Sequence, residues 1–214
     1  ILDGRFQIGQ LVINKAKIED LQLQIKAKDG MFNLDPMKLK MYQGNVSGVG
    51  NFNVQTNTPK SSLSLNVENI QVGPLLRDVL EKDLLEGVTN AQFKLAMSGD
   101  DAAMIKKTLD GNGEIRFNDG AVIGIDLAGM VRNVQAAFGL EQKPAQRPRT
   151  DFAELNAPFS IKQGLVHTPQ TSLKSPLLRV TAAGDANLVK ETLNFRVEPK
   201  VVGTIKGQGD TEQR

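Results

Sequence analysis

Asp20-Leu21-Gln22-Leu23-Gln24-Ile25-Lys26-Ala27-Lys28 decides the fold class. Its odd-numbered residues are apolar and its even-numbered residues polar. That is a β-strand with one dry and one wet face, because successive strand side chains point to opposite sides. The alternation recurs in Met37-Leu39-Met41 against Lys38-Lys40-Tyr42, and in Leu63-Leu65-Val67 against Ser62-Ser64-Asn66-Glu68. It returns in Phe93-Leu95-Met97, Ile115-Phe117, Phe159-Ile161, Leu178-Val180-Ala182 and Leu193-Phe195-Val197, while Val46, Phe52 and Val54 add further inward side chains. Parallel strands are covered on both faces and read as continuous apolar runs, so one-sided wetting indicates antiparallel pairing. Turn signals at Asp29-Gly30, Gln43-Gly44, Thr58-Pro59, Asn118-Asp119-Gly120, Gln163-Gly164 and Ser175-Pro176 separate the strands. The expectation is a mainly β protein built on one long antiparallel sheet.

Two or three short helices flank that sheet. Pro74 suits a first helical turn, and Leu75, Leu76, Val79 and Leu80 follow at helical spacing with Arg77, Asp78, Glu81 and Lys82 outside. From Asp126, an N-cap residue type, Leu127, Met130, Val131, Val134 and Phe138 form a second stripe that Gly139 ends. Asp100 to Thr108 reads as a third, short helix capped by an Asp. Glu141 to Thr150, with Pro144, Pro148, Lys143, Arg147 and Arg149, reads as an exposed linker. The chain is taken as a single region, 1–214, and 141–150 is where a sub-boundary would fall.

Composition narrows the chemistry. Of 214 residues, 40% are hydrophobic and 23% charged, enough for a real core. Aromatics are 5%, with no Trp and one Tyr, Tyr42, which counts against sites that stack bases or sugars. The net charge of +2 argues against capture of nucleic acid. With no Cys, disulfides, thiolate nucleophiles and Cys-based zinc sites are excluded, and the single His167 leaves no His pair for a metal. No stretch reaches the 18 or so unbroken apolar residues of a membrane span, since Gly120–Leu140 is interrupted by Asp126, Arg132, Asn133 and Gln135. The chain opens at Ile1 without a basic region followed by an apolar one. It is read as a piece of something longer, with any anchor outside the piece.

The motifs that might carry catalysis fail on context. Gly48-Val49-Gly50-Asn51-Phe52-Asn53 lacks the third glycine of a dinucleotide fingerprint and runs into strand. Gly203 to Gly209 lacks phosphate-loop spacing. Asp78, Glu81, Asp83 and Glu86 crowd one region, but Arg77 and Lys82 sit among them, and such runs are usually a solvated face. His167, before Thr168-Pro169, reads as a turn histidine with no nucleophile-elbow serine to serve. The sequence therefore indicates no enzyme, no cofactor and no metal. What remains is the apolar face, and two readings of it stay open at this point. Either the sheet folds over and uses all of it as core, or part of it is an open groove.

Asp119-Gly120-Ala121-Val122-Ile123-Gly124-Ile125-Asp126-Leu127, leading to Met130-Val131-Arg132, resembles a signature of the AsmA family. So does Thr150-Asp151-Phe152-Ala153-Glu154-Leu155, continued by Phe159-Ser160-Ile161-Lys162-Gln163-Gly164. Ser175-Pro176-Leu177-Leu178-Arg179-Val180 and Gly184-Asp185-Ala186-Asn187-Leu188 extend the likeness. Tyr42-Gln43-Gly44 followed by Gly48-Val49-Gly50 is similar to the family's tyrosine-glycine strand turn. The resemblance covers most of the chain and is strongest from about Leu109 onward.

The resemblance implies the C-terminal periplasmic region of a protein anchored in the Gram-negative inner membrane and serving outer-membrane assembly. The family is related to bridge-like lipid carriers, which implies a long curved sheet, taco-like or a partly open barrel, whose one-sided strands line a groove for acyl chains. On that view Leu21, Leu23, Ile25, Leu39, Phe52, Leu63, Leu65, Phe93, Leu95, Phe117, Phe159, Ile161, Val180 and Phe195 line the groove. The implied partner is a phospholipid or another envelope lipid, with envelope assembly proteins as a second class. A structural or regulatory scaffold with a closed β core is the alternative.

Overall fold

The computed structural model describes residues 1–127, 129, 148–176 and 178–202. Eleven strands run in chain order: β1 (Leu2–Ile13), β2 (Ala16–Lys28), β3 (Met31–Met41), β4 (Gly44–Asn53), β5 (Lys60–Gln71), β6 (Leu85–Ser98), β7 (Asp110–Ile123), β8 (Arg149–Lys162), β9 (Leu165–Lys174), β10 (Leu178–Asn187) and β11 (Thr192–Val201). They form one sheet in which every strand pairs antiparallel with its sequence neighbours, so the topology is a pure meander. β1 and β11 are its two edges, and the sheet stays open. At about 4.8 Å per strand spacing, eleven strands span about 48 Å, and each strand runs about 33 to 46 Å.

Among the described residues, two helices seen from end to end interrupt the meander at opposite ends of the sheet. α1 (Val72–Leu80) joins β5 to β6, and α2 (Ala102–Thr108) joins β6 to β7. Asp101 caps α2 by accepting from the Met104 N–H at 2.7 Å, and Thr108 accepts from the Ser98 N–H at 2.9 Å. From α2, Lys106 reaches across the sheet's end to pair with Glu191 in the β10–β11 turn. α1 has no side-chain cap at its start and ends on Glu81 in a left-handed conformation (φ 57°).

Core formation is uneven. Phe152, Leu173, Leu178 and Val180 make a buried cluster on β8–β10, with Leu85, Phe117, Val122, Leu127 and Leu155 packed against it. Thr150, 2% exposed, ties the segment after β7 down over this corner. Its hydroxyl donates to the Ile125 carbonyl (2.7 Å) and accepts from the Leu127 N–H (3.0 Å). The expected linker therefore stops short of residues 149 and 150. Arg149 and Thr150 open strand β8, because Thr150 has hydrogen-bonding work on the dry side and Arg149 is held by Asp151 at 2.7 Å and Glu86 at 3.6 Å.

At the start of the second expected helix, Asp126 accepts from the Gly129 N–H at 2.6 Å, as an N-cap does. The rest of that stripe, Met130 to Phe138, and residues 141–147 lie outside the described residues. His167 belongs to strand β9 rather than a turn, with its Nδ1 2.8 Å from Asp185 on the paired strand. Val54 lies beyond the end of β4 and is exposed.

Candidate functional site: the apolar face of the sheet

Pairing register shows what the alternation builds. One row of directly opposed residues crosses all eleven strands: Gly4, Ile25, Leu34, Gly50, Leu63, Leu95, Gly111, Ile161, Val166, Ala186 and Leu193. Every member is aliphatic or glycine. The neighbouring row, Phe6, Leu23, Met37, Gly48, Leu65, Phe93, Gly113 and Phe159, is equally dry over eight strands. Opposed residues share a face, so these rows make one continuous apolar surface.

All fourteen sequence-predicted groove residues fall on this surface. β-Bulges extend the same face along the strands: extra residues in β2 near Asp20, in β5 near Asn69 and in β7 near Asp119, each with positive φ, keep Ile18, Ile70 and Gly120 in phase with Leu21, Val67 and Phe117 where a simple count would flip them. Ten of the fourteen are half-buried: Leu23, Ile25, Leu39, Phe52, Leu63, Leu65, Phe93, Leu95, Phe117 and Phe159. Leu21, Ile161 and Val180 are buried, and Phe195 is exposed on the edge strand. The apolar face thus combines a closed corner with a long, partly uncovered remainder.

Glycines, which the periodicity did not rank, set its curvature. Gly4 of β1, Gly48 and Gly50 of β4, Gly111, Gly113 and Gly120 of β7 and Gly184 of β10 sit on this face. A Cβ at Gly48, Gly111, Gly120 or Gly184 would come within 3.0 Å of the carbonyl oxygen of the adjoining strand. The neighbouring backbone has therefore been brought up over the apolar side. These close approaches fall at β4/β5, β6/β7 and β10/β11 of the curved, open sheet. Large side chains cover the glycines: Leu65 over Gly48, Leu95 over Gly111, Phe159 over Gly113 and Phe152 over Gly120.

The opposite face is wet. A hollow of about 770 Å³ over β4–β7 is lined by Ser47, Asn66, Gln92, Lys94, Glu114 and Arg116 from the wet positions and by Leu65 and Phe93 from the dry ones. Ion pairs such as Lys40–Asp20 (2.9 Å), Lys174–Glu154 (3.2 Å) and Lys162–Asp110 (2.7 Å) stitch the strands of the wet face. The Lys162 ammonium and the Gln163 N–H together hold the Asp110 carboxyl below its ordinary range. The acidic run does more than solvate a helix: Asp78 pairs with Lys17, Glu81 with Lys15, Asp83 with Arg77 and Glu86 with Arg149. Each carboxylate meets a different cation, so the run disperses instead of converging on a metal.

The model of the AsmA family matches residues 2–171. This chain belongs to the AsmA family. Protein AsmA of Escherichia coli (strain K12) is 22% identical in an alignment of 197 residues that covers 88% of this chain and 31% of that protein. The chain thus spans about a third of that AsmA relative. No match was found among solved structures. Within this AsmA-family sheet, no helix of the described residues is long and apolar enough to cross a membrane.

Proposed function

We propose that this AsmA-family domain is an outer-membrane biogenesis factor that takes acyl chains of phospholipid, or of another envelope lipid, onto its apolar trough and conducts them between the inner and outer membranes. It works in the periplasm as part of a protein held in the inner membrane, alongside envelope assembly proteins. The observation that carries this reading is the register row in which eleven successive strands present only aliphatic side chains or glycine, most of them partly uncovered. Family membership supports it.

The physics is transfer without specific contacts. Each methylene kept from water contributes about 0.8 kcal/mol, so a chain of fifteen methylenes costs about 12 kcal/mol to expose fully. A trough covering one side of the chain removes a large part of that cost along its whole path. No catalytic group is needed for such transfer.

The scaffold reading draws on the buried cluster of Phe152, Leu173, Leu178 and Val180, which is a closed core. That cluster occupies one corner, and the rows through Leu65 and Leu95 lie beyond it. Leu65→Asp and Leu95→Asp, one per variant, separate the readings by melting temperature and photocrosslinking to labelled phospholipid. An unpaired charge in a closed core costs several kcal/mol, comparable with a domain's stability, whereas on an open floor it stays hydrated. Folded variants that have lost crosslinking support the trough. Collapse of both melting temperatures favours the scaffold, and unchanged crosslinking removes lipid from these positions.

A further inference from the structure

Tyr42, the only tyrosine, is not on the trough, and the proposed function gives it no task. It stands in the β3–β4 turn, where its hydroxyl accepts from the Lys17 N–H (3.2 Å) and donates to Asp78 Oδ2 (2.8 Å). Lys17 Nζ meets the same Asp78 oxygen at 2.9 Å. Asp78 is on α1, so the cluster fastens the helix to two other elements. α1 leaves β5 at Gln71, whose N–H donates to the Tyr42 carbonyl (2.9 Å), passes the β3–β4 turn and ends beside the β1–β2 hairpin through Glu81 and Lys15. A nine-residue helix is about 13 Å long, which matches the three strand spacings from β5 to β2.

We propose that α1 is a lid over this end of the trough, hinged at Gln71–Val72 and latched by Tyr42, Asp78 and Lys17. Three observations converge. First, burial is graded along the same strands. Gly44, Val46, Ile70, Thr89 and Ala91 are buried at the helix end, while Phe52, Leu63 and Leu95 at the other end are half-buried. The polar residues Arg77, Asp78 and Glu81 lie on one side of α1; on the other, Leu75 and Leu76 are half-buried and Val79 and Leu80, in the last turn, are exposed.

Second, the helix does not stand by itself. Isolated helices shorter than about 12 to 15 residues are marginal, and α1 lacks a side-chain N-cap. Third, the closed state carries a local cost. The Thr89 hydroxyl, in register with Ile70 at the foot of α1, is buried with no hydrogen-bond partner among the described residues. An orphaned hydroxyl is relieved when water or a polar ligand group reaches it. A latch on one side and an unsatisfied group beneath make a two-state element.

Hydrogen exchange of the α1 amides in the 214-residue chain tests the lid directly. Asp78→Asn and Tyr42→Phe are expected to speed exchange over residues 75–80 roughly tenfold while β8–β10 keep their rates. Thr89→Val, which removes the orphan and keeps the shape, is expected to slow it. Rates over 75–80 that stay within about twofold of wild type in both latch variants overturn the lid, as does equal acceleration through the whole sheet.

The use of the lid, admitting lipid, rests on the proposed function. A photocrosslinker at Val46 is therefore expected to capture labelled phosphatidylcholine from vesicles more strongly in Asp78→Asn. Faster exchange without a gain in capture leaves the lid standing and counts against lipid as what it admits.

Discussion

Gly113→Ala against Gly50→Ala tests whether glycines fold the sheet toward its apolar side. Both glycines lie on the trough floor, on β7 and β4. A Cβ at Gly113 would lie 2.5 Å from the Gln92 carbonyl oxygen, 2.6 Å from Phe93 Cβ and 2.9 Å from the tip of Phe159. The first two atoms belong to β6 and cannot withdraw without parting the β6–β7 ladder. At Gly50 the nearest atoms are Leu63 Cδ2 at 3.1 Å, Phe52 Cε2 at 3.4 Å and Leu34 Cδ1 at 3.8 Å, all side-chain ends. Overpacking costs about 1 to 3 kcal/mol, and the backbone clash puts Gly113 at the upper end. Replacing a strand glycine by alanine returns about 0.5 to 1 kcal/mol, leaving a net loss of about 2 kcal/mol at Gly113 and a change within about 1 kcal/mol at Gly50. For a chain of this size that is a fall in melting temperature of about 4 to 8 °C for Gly113→Ala, and a shift of no more than about 4 °C for Gly50→Ala. Thermal unfolding followed by far-ultraviolet circular dichroism measures both. Equal effects, or Gly113→Ala melting like wild type, would refute the idea that these glycines set the curvature.

Tyr42 should titrate above the ordinary phenol value of 10.0, because burial and the hydrogen bond to Asp78 outweigh the Lys17 N–H that favours the phenolate. Ultraviolet absorbance of this single tyrosine reads it without interference from tryptophan, and Asp78→Asn should bring the midpoint down. The carboxyls of Asp78 and Asp110 are held below their ordinary value of 3.8, the first by Lys17 and Tyr42 and the second by Lys162 and Gln163. Depressed carboxyls stabilise the fold above 3.8, and that contribution disappears as pH falls through their lowered values. Melting temperature should therefore be flat from neutrality to about pH 5 and fall below pH 4, less steeply in an Asp78→Asn, Asp110→Asn variant. Asp101→Ala removes the cap of α2 and should cost about 1 kcal/mol, seen as faster exchange of the Met104 amide with the remaining strands unaffected.

The strands were legible because a half-wet sheet writes itself as a period of two, and Leu21-Leu23-Ile25 or Leu63-Leu65-Val67 admit no helical reading. Their common face was legible too, since the period fixes which side chains point together. Curvature was not. Gly48, Gly111 and Gly113 look like ordinary weak points in a strand until the register shows whose carbonyl each one faces. The ties between distant elements were equally hidden. Asp78 reads as one charge in a solvated run, and only the fold places it against Lys17 and Tyr42. Arg149-Thr150 reads as linker because nearby prolines and cations dominate the window. Thr150 is held in strand by bonds to Ile125 and Leu127, residues more than twenty positions away in sequence. His167 was drawn toward a turn by the adjacent Pro169, yet its pairing with Asp185 keeps it in the ladder.

Photocrosslinking across a single strand puts the central claim to its most direct test. Leu63 and Leu65 of β5 point into the trough, and Ser62, Ser64 and Asn66 point to the wet side. A photoreactive residue at each of the five positions in turn, exposed to vesicles of labelled phospholipid, should give lipid adducts at 63 and 65 and none at 62, 64 and 66. Adducts of equal strength at all five positions, or at none of them in folded protein, would contradict a lipid-bearing trough.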